Sequence, residues 1–442
     1  MDILVKALQL ILSLSILILV HEAGHFFFAK TFKTRVEKFY LFFDPYFSLF
    51  KYKKGDTEYG IGWIPLGGYV KIAGMIDESL DMEAMKTEPQ PYEFRAKPAW
   101  QRLLIMIGGV LVNVVFAFLL YIMILFVWGE KYLPTQNVKY GIACDSIAIN
   151  AGLKTGDKII TVDNKKIENF SAIVPFILLN QSKTVEVERD GKQVQVNLPS
   201  DLIHQIIKKE KAHVITPRVP FVVSNIQENS PAQRGGIKPG DHLVELNGTE
   251  LSFSDEFEAQ FAKHRNDTIS IGLLRGGQKI ILKLAPNDKG IIGVRRYVES
   301  EEFFEYKHIQ YGFFESIPAG LAKGYKEIGD YLKQLKIIFT PKTEAYKSLG
   351  GFMAVGDIFP TEFNWQAFWT LTALLSIMLG IINILPIPAL DGGHVIFLLW
   401  EIVTRKTPSL KVLEYSQYVG MTILLALVVF ANGNDIVRFF FK

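Results

Sequence analysis

Cysteine is almost absent from this sequence of 442 residues, which contains a single one, Cys144. One thiol cannot form an internal disulfide, and it rules out a zinc site made of four thiolates. An excess of one charge is lacking as well, because 48 lysines and arginines face 45 aspartates and glutamates, for a net charge of +3. This balance excludes the strongly basic surface that nucleic-acid binding needs, so we predict no nucleic-acid partner.

Charged residues are few in total, at 21%, whereas hydrophobic residues make up 49% and the mean hydropathy is +0.20. The apolar residues concentrate in four windows, each long enough to cross a bilayer core of about 30 Å as a helix. These windows are 3–28, 103–128, 368–390 and 413–430. No small-residue cleavage site follows the first window, so we predict a retained helix rather than a signal peptide. The lipid bilayer is the expected environment of all four.

The basic residues near these windows predict the orientation in the membrane. Four lysines and arginines lie within 30–38, after the first window, whereas its N-terminal end has only Lys6. Cytoplasmic loops carry the excess of lysine and arginine, so the N-terminus is predicted to be outside. The basic segment 405–411, between the third and fourth windows, then falls inside, and the long stretch 130–366 is external.

That external stretch contains an internal repeat. Gly156-Asp157 aligns with Gly240-Asp241 at a constant offset of 84 residues (240 minus 156), and each copy continues with a turn, a helical stretch and alternating strands. The two copies resemble PDZ domains of the circularly permuted bacterial kind, whose exposed sheet edge accepts a peptide or protein strand. Spacers without a ligand are the alternative, because the loop that should hold a carboxylate reads Phe221-Val222-Val223 in the second copy.

The first window ends in a metal-binding pattern, His21-Glu22-Ala23-Gly24-His25. Two histidines four residues apart lie on one helix face, where both rings reach one Zn²⁺ and the glutamate between them can accept a proton from water. The pattern lies within an apolar run, where an unpaired glutamate costs on the order of 2 to 3 kcal/mol to insert. We therefore predict a catalytic zinc site rather than a solvated helix end that carries these residues without binding a metal.

A catalytic zinc site needs a third protein ligand. The best candidate is Asp391, in the segment 383–394, which reads NILPIPALDGGH. Pro386 and Pro388 break the helix at membrane depth, and irregular backbone is tolerated there only where it is buried in protein or lines a wet cavity. His394 is the rival ligand, and an ordinary Asp-Gly-Gly turn is the structural alternative.

The sequence resembles the site-2 proteases, in particular bacterial members with tandem PDZ domains. The match rests on HEAGH in the first span, NILPIPALDGGH in the third and the two PDZ-like copies between the second and third spans. The resemblance implies that His21, His25 and Asp391 bind Zn²⁺ and that Glu22 is the general base. It also implies single-span membrane proteins as substrates, such as a trimmed anti-sigma factor or remnant signal peptides. The implied location is a bacterial inner membrane, with the PDZ domains in the periplasm.

A transmembrane substrate must unwind before cleavage, because a helix hides its carbonyls in hydrogen bonds. Gly67 and Gly68 lie in a segment similar to the family's membrane-associated β-loop, and we expect them, with Asn113 and Asn383, to bind the extended substrate. An ordinary turn is the alternative for the glycines, and interhelical packing is the alternative for each asparagine. One departure is visible, since the chain has Gly108-Gly109 where the family commonly has a Gly-Pro pair.

Together these expectations describe a multi-pass α-helical membrane protein with four transmembrane helices and two external α/β PDZ domains. Its predicted function is that of a zinc-dependent intramembrane endopeptidase. A metal-binding transporter or receptor with PDZ modules is the alternative, and it has little use for Glu22. The expected segments are transmembrane helix 1 at 1–30, a cytoplasmic or membrane-associated β-loop region at 31–102, helix 2 at 103–128, PDZ domains at 137–200 and 220–287, an amphipathic linker on the membrane or the bundle at 313–340, helix 3 at 367–392 and helix 4 at 412–431.

Overall fold

The computed structural model describes residues 2–75, 88–209, 213–296 and 301–441. Part of the predicted β-loop region, 76–87, therefore lies outside the described residues. The chain divides into two compact units. The first unit comprises Met1–Gly129, Gln310–Leu335 and Tyr346–Lys442, and the second comprises Glu130–Ile309 and Lys336–Ala345.

Helices dominate the first unit, and short helices alternate with strands in the second. The α-helices are α1 (Asp2–Thr31), α2 (Ala99–Trp128), α3 (Ser146–Asn150), α4 (Ile173–Asn180), α5 (Leu202–Lys208), α6 (Pro231–Arg234), α7 (Ser254–Phe261), α8 (Phe313–Ile338), α9 (Phe352–Asp357), α10 (Trp365–Asn383), α11 (Asp391–Thr404) and α12 (Leu410–Phe441). The strands are β1 (Val36–Phe43), β2 (Phe50–Lys54), β3 (Thr57–Ile61), β4 (Ile64–Ile72), β5 (Glu130–Tyr132), β6 (Ile142–Cys144), β7 (Lys158–Val162), β8 (Thr184–Arg189), β9 (Lys192–Asn197), β10 (Ile215–Pro217), β11 (Val223–Ile226), β12 (His242–Leu246), β13 (Thr249–Glu250), β14 (Ile269–Arg275), β15 (Gln278–Leu284), β16 (Val294–Arg296) and β17 (Lys307–Ile309).

Four helices, α1, α2, α10 and α12, are long and apolar enough to cross a membrane, which confirms the predicted multi-pass helical protein. The third of them differs from its predicted span, because α10 ends at Asn383 rather than continuing to residue 392. Pro386 and Pro388 follow, and a proline lacks the N–H that would continue the helix. A new helix, α11, then begins at Asp391.

Glycines allow α1 and α2 to pack unusually closely. A Cβ built on Gly108 would lie 2.8 Å from the carbonyl oxygen of Gly24, closer than such atoms approach. Small residues at helix interfaces are the usual way that membrane helices bring their backbones together. On another side, α1 packs against α10, where the hydroxyls of Ser13 and Thr372 form a buried hydrogen bond of 2.9 Å.

A four-stranded sheet follows α1, in the order β4-β1-β3-β2. Strand β1 pairs antiparallel with β4 and parallel with β3, so β4 forms one edge of the sheet. The sheet packs against α1, with the Phe26 and Phe39 rings edge to face at 5.4 Å. This packing places the edge strand β4, with Gly67 and Gly68, beside the α1 residues that carry the metal-binding pattern.

Helix α8 is the predicted amphipathic segment, and within the first unit it packs against the bundle. Gly320 lies so close to α2 that a Cβ there would be 2.5 Å from the Ile122 side chain, and Gly324 lies against the Phe118 ring. Tyr331, about two turns further along α8, is buried among residues of α2 and α10. Of the two expected locations, packing on the helix bundle therefore describes α8 up to residue 335.

The second unit contains two modules of the same design. The first module, residues 142–217, has a sheet β7-β8-β9 and a separate pair β6-β10, and the second, residues 223–296, has a sheet β13-β12-β14-β15 and a pair β11-β16. Each hairpin turns through two residues with positive φ, which Asn, Asp and Gly adopt most readily. The turns are 163–164, 190–191, 247–248 and 276–277. In each module, the last strand lies beyond the boundary expected from the sequence, 200 or 287.

Each module contains the same ion pair, in which a partly exposed arginine meets a buried aspartate. Arg189 donates two hydrogen bonds of 2.7 Å to Asp157, and Arg275 donates two of 2.7 Å to Asp241. Each aspartate also accepts a backbone N–H from three residues earlier, at 2.8 Å in both modules. The sequence repeat is therefore also a repeat of hydrogen bonds, and both carboxylate oxygens of Asp157 and of Asp241 accept at least one.

The segment joining the modules is fixed at both ends. Its strand β10 pairs with β6 of the first module. Immediately afterwards, the Arg218 guanidinium donates to Asp255 at 3.0 Å and to Glu256 at 2.7 Å, and it stacks over the Phe253 ring. The two modules are consequently tied by an ion-pair cluster rather than by a loose linker.

Candidate active site

His21 and His25 lie on successive turns of α1 and point the same way. Their Nε2 atoms are 3.3 Å apart, and both residues are buried. The spacing of four residues produces this geometry, because it brings two side chains onto one face of a helix.

Asp391 approaches the two histidines from another part of the chain. It is the first residue of α11, directly after the turn that contains both prolines. Its Oδ2 lies 3.1 Å from Nε2 of His21 and 3.3 Å from Nε2 of His25. Oδ2 is buried and has no hydrogen-bond partner among the described residues, an arrangement that needs an explanation in a folded protein.

The spacing of these three atoms matches a zinc site. Ligands at about 2.0–2.1 Å from a tetrahedral Zn²⁺ lie about 3.3–3.4 Å from one another. The three observed separations are 3.1, 3.3 and 3.3 Å, and a bound ion would satisfy the otherwise unpartnered Oδ2. In the described part of the chain, His21, His25 and Asp391 are the group of three whose ligand atoms converge, and His394 is not among them.

The far sides of the two imidazoles are held differently. His25 donates from Nδ1 to the backbone carbonyl of Ile105, at 2.8 Å. His21 has the side chain of Asn113 at its Nδ1, with a nitrogen-to-nitrogen distance of 3.2 Å. Nδ2 of Asn383 lies 3.3 Å from Nε2 of His21.

Gly109 is part of the site, although in the sequence it differs from other glycines only because the family commonly has a Gly-Pro pair here. A Cβ at this position would lie 2.5 Å from Nε2 of His25 and 2.7 Å from Cε1 of His21. Any side chain there would therefore displace the imidazoles. The Gly108-Gly109 pair was the available signal, since consecutive glycines inside an apolar helix indicate a close approach.

A cavity of about 780 Å³ opens beside these residues. Its lining includes Glu22, Gly67, Gly68 and Asn383 together with His21, His25 and Asp391, whereas Asn113 is fully buried and is not part of it. Val70, on the edge strand β4, lines the cavity together with Glu22. Four of the predicted site residues thus share one cavity with the histidines and Asp391, and Asn113 lies behind His21.

Tyr69, also on the cavity wall, remains a neutral hydrogen-bond donor. Burial, together with the hydrogen bond of 2.8 Å that its hydroxyl donates to Asp44, raises the pKa of Tyr69 far above its ordinary value. The phenol therefore contributes no charge to the cavity.

Comparison with known proteins identifies the family. The sequence profile of peptidase family M50 matches residues 9–427. The chain belongs to peptidase family M50. It is similar to the regulator of sigma E protease of Haemophilus influenzae, with 29% identity covering 97% of this chain and 98% of the relative. It is equally similar to RseP of Escherichia coli, the regulator of sigma-E protease, with 29% identity covering 97% of each chain. Relatives in Vibrio cholerae and Xylella fastidiosa, 28% and 27% identical, carry "zinc metalloprotease" in their names.

Membership in family M50 confirms the predicted activity class. The protein is a zinc-dependent intramembrane protease of the site-2 type, and its cofactor is zinc. The four apolar helices agree with a protease that acts on membrane proteins. A transporter or receptor, the alternative from the sequence, is not favoured.

Proposed function

We propose that His21, His25 and Asp391 hold the zinc ion and that Glu22 is the general base for cleavage of single-span substrates. The observation that carries this proposal is the convergence of Asp391 Oδ2, buried and without a hydrogen bond, on the two Nε2 atoms. A buried carboxylate oxygen next to two ring nitrogens is stable when a cation lies between them.

Bound zinc supplies Lewis acidity, activating water and polarising the scissile carbonyl. Glu22 accepts a proton from the attacking water and delivers it to the leaving amine. Glu22 lies between the two histidines in sequence and beside Gly68 of β4, on the wall of the cavity that they share.

The edge strand β4 is proposed to hold the unwound substrate. An extended peptide in lipid leaves its backbone groups unpaired, and an open strand edge can pair with them. Gly68 lies in contact with Glu22, since a Cβ there would be 3.7 Å from the Glu22 Cγ. With no side chain at Gly67 and Gly68, a substrate strand can approach the backbone of β4, and Asn383 adds an N–H donor at the same cavity.

Replacing Glu22 by Gln tests the catalytic assignment, because the amide keeps the shape of the side chain but cannot accept a proton. In liposomes, the variant should retain stoichiometric zinc and lose cleavage of a synthetic membrane-spanning peptide by a factor of about 10² or more. Glu327→Gln, on α8 and outside the cavity, is the matched control and should cleave normally. Normal cleavage by Glu22→Gln would exclude Glu22 as the base.

We further propose that the two modules are periplasmic PDZ domains in a bacterial inner membrane. Both modules combine an antiparallel sheet with short helices, as PDZ domains do. The basic residues that follow α1 favour a cytoplasmic location for that end of the helix, and the predicted topology then assigns the modules to the periplasmic side. The names of the relatives, regulators of sigma E, support an anti-sigma factor as substrate, with remnant signal peptides as the alternative.

Single-cysteine labelling tests this topology. The natural thiol is a weak background, because burial raises the pKa of Cys144 to about 12, and Cys144→Ser removes it. Cysteines at the exposed positions 158 and 238 should react with an impermeant reagent from outside, and those at the exposed positions 33 and 405 should react only after permeabilisation. External labelling at position 405 would invert the proposed topology.

The tied pair of modules is proposed to act as a size filter that refuses a substrate still carrying a folded external domain. Strands β5 and β17 pair on either side of the modules, so a short flexible linker can replace 138–296 without separating the flanking chain. The deletion should permit cleavage of an untrimmed substrate and leave cleavage of the trimmed form nearly unchanged. Loss of trimmed-substrate cleavage, in a variant that still binds zinc, would instead mean that the modules recruit substrate.

A further inference from the structure

Asn113 lies at the centre of the contacts among α1, α2 and α10, with none of its surface exposed. Its Nδ2 is 3.2 Å from Nδ1 of His21, and its Oδ1 is buried without any hydrogen-bond partner among the described residues. It does not line the cavity, so its side chain has no route to a substrate. Asn113 therefore does not reach the cavity in which we propose that substrate binds. The presence of a buried polar side chain at this position requires a different explanation.

The tautomer of His21 determines whether Asn113 must present a hydrogen-bond donor or an acceptor to Nδ1. Nε2 of His21 faces Asp391 and His25, so a neutral ring that gives its Nε2 lone pair to a metal carries its proton on Nδ1. An Nδ1–H needs an acceptor, whereas the Asn113 amide presents its NH₂ group. A half-turn of the amide about Cβ–Cγ exchanges the two atoms, which differ little in size. It gives Nδ1–H an oxygen acceptor and moves the amide NH₂ to the buried position that Oδ1 otherwise occupies.

The comparison with His25 supports this orientation. His25 donates its Nδ1–H to the backbone carbonyl of Ile105, an acceptor that cannot rotate away. Both Ile105 and Asn113 belong to α2, so one helix supplies an acceptor to each ring. Gly109 lies between them and leaves the space in which the two rings stand.

Asn113 is itself held by α10. Ser376 donates a buried hydrogen bond of 2.8 Å to the backbone carbonyl of Asn113. Gly380, one turn further along α10, packs against the Asn113 Cβ, since a Cβ on Gly380 would lie 3.9 Å from it. The backbone at Asn113 is thus fixed between two helices, and the side chain meets His21 from a defined position.

We propose that Asn113 is a positioning residue for the metal site. Its Oδ1 accepts the Nδ1–H of His21 and so fixes the tautomer and the ring orientation that present Nε2 to zinc. This inference rests on the proposed ligation of zinc by His21. Groups that orient a ligating histidine in this way typically contribute 10- to 100-fold in metal affinity.

The test compares three variants of the full-length chain in detergent, with zinc affinity measured by competition with a chelator. Asn113→Leu, which removes the acceptor and keeps the branched shape of the side chain, should bind zinc about 10- to 100-fold more weakly. Asn113→Asp restores an acceptor and should bind within a few-fold of the unaltered protein. Thr372→Val removes a buried hydrogen bond between α1 and α10 away from the metal and should bind zinc normally. If Asn113→Leu does not fold, Asn113→Ala carries the same expectation.

Two outcomes would overturn the proposal. Unchanged zinc affinity in Asn113→Leu, with a raised KM for peptide, would return Asn113 to a substrate-binding role. Equal weakening in Asn113→Leu and Asn113→Asp would mean that packing, and not the acceptor, matters at this position. His21→Ala separates this inference from the proposed function, because it must lose zinc whatever Asn113 does. Zinc retained in His21→Ala would contradict the ligand assignment itself.

Discussion

Buried aspartates in the two units of the molecule have opposite environments. In the second unit, Asp157 and Asp241 each receive two hydrogen bonds from an arginine and one from a backbone N–H, so their charge is fully matched. In the first unit, Oδ2 of Asp391 is buried beside two imidazoles with no hydrogen bond. A satisfied buried carboxylate supports the architecture, whereas an unsatisfied one that faces other ligand atoms indicates a binding site.

The largest effect should come from removing the unsatisfied carboxylate. Asp391→Ala leaves two protein ligands, one fewer than catalytic zinc sites normally have, so zinc and proteolysis should be lost together. Zinc stoichiometry by elemental analysis of the purified protein measures this directly. His394→Ala, on the next turn of α11, is the matched control and should keep its zinc. Full occupancy in Asp391→Ala would move the ligand role to another residue, with His394 the first to examine.

Adding one methyl group next to the histidines should be nearly as harmful. Gly109→Ala places a Cβ 2.5 Å from Nε2 of His25, so the ring, the helix or both must shift. A displacement of about 1 Å at a catalytic group can cost on the order of 10²-fold in rate. Gly433→Ala, on α12, is the control, because a Cβ there meets nothing within 4 Å. Equal activity of the two variants would show that α1 and α2 can separate without cost.

Breaking a satisfied pair should affect stability instead of chemistry. Asp241→Ala leaves Arg275 without its partner, at a cost of about 3 kcal/mol, the lower end of the range because Arg275 is 30% exposed. All six tryptophans lie in the first unit, so their fluorescence does not report on this change. Hydrogen exchange of peptides from β12 and β14 should detect it. Zinc content and cleavage of a trimmed substrate should remain normal, and a loss of zinc would mean that the two units are coupled.

The comparison also explains which features the sequence predicted. The positions of His21, Glu22 and His25 follow from local helical geometry, so a five-residue pattern was sufficient. Asp391 could be proposed because two nearby prolines signalled irregular backbone at membrane depth. The role of Gly109 depends on how closely α1 approaches α2, a tertiary distance that no local pattern encodes.

The fold likewise divides into features that local sequence patterns predict and features that depend on tertiary contacts. The four apolar helices and the paired turns of the modules were predictable from hydropathy and from Asn, Asp and Gly residues. A break near Pro386 and Pro388 was predicted as well, but the residue at which α10 ends, Asn383, was not, because hydropathy continues through the apolar residues around the prolines. The pairings of β10 with β6 and of β16 with β11 were also missed, since they join strands about 70 residues apart in the sequence.

The smallest expected effect is a pH dependence confined to the second module. Burial alone would raise the pKa of Asp241, but hydrogen bonds from the Arg275 guanidinium and the Lys238 N–H outweigh it and lower the pKa below its ordinary value. The ion pair therefore contributes its full stability above the unfolded pKa of about 4, and the contribution is lost as the pH falls toward the folded value. As the pH falls below about 4, β12 and β14 should progressively lose protection from hydrogen exchange in the unaltered protein. Asp241→Asn, which cannot titrate, should start less protected and change less over the same interval. Equal losses in both proteins would assign the acid sensitivity to another group in the module.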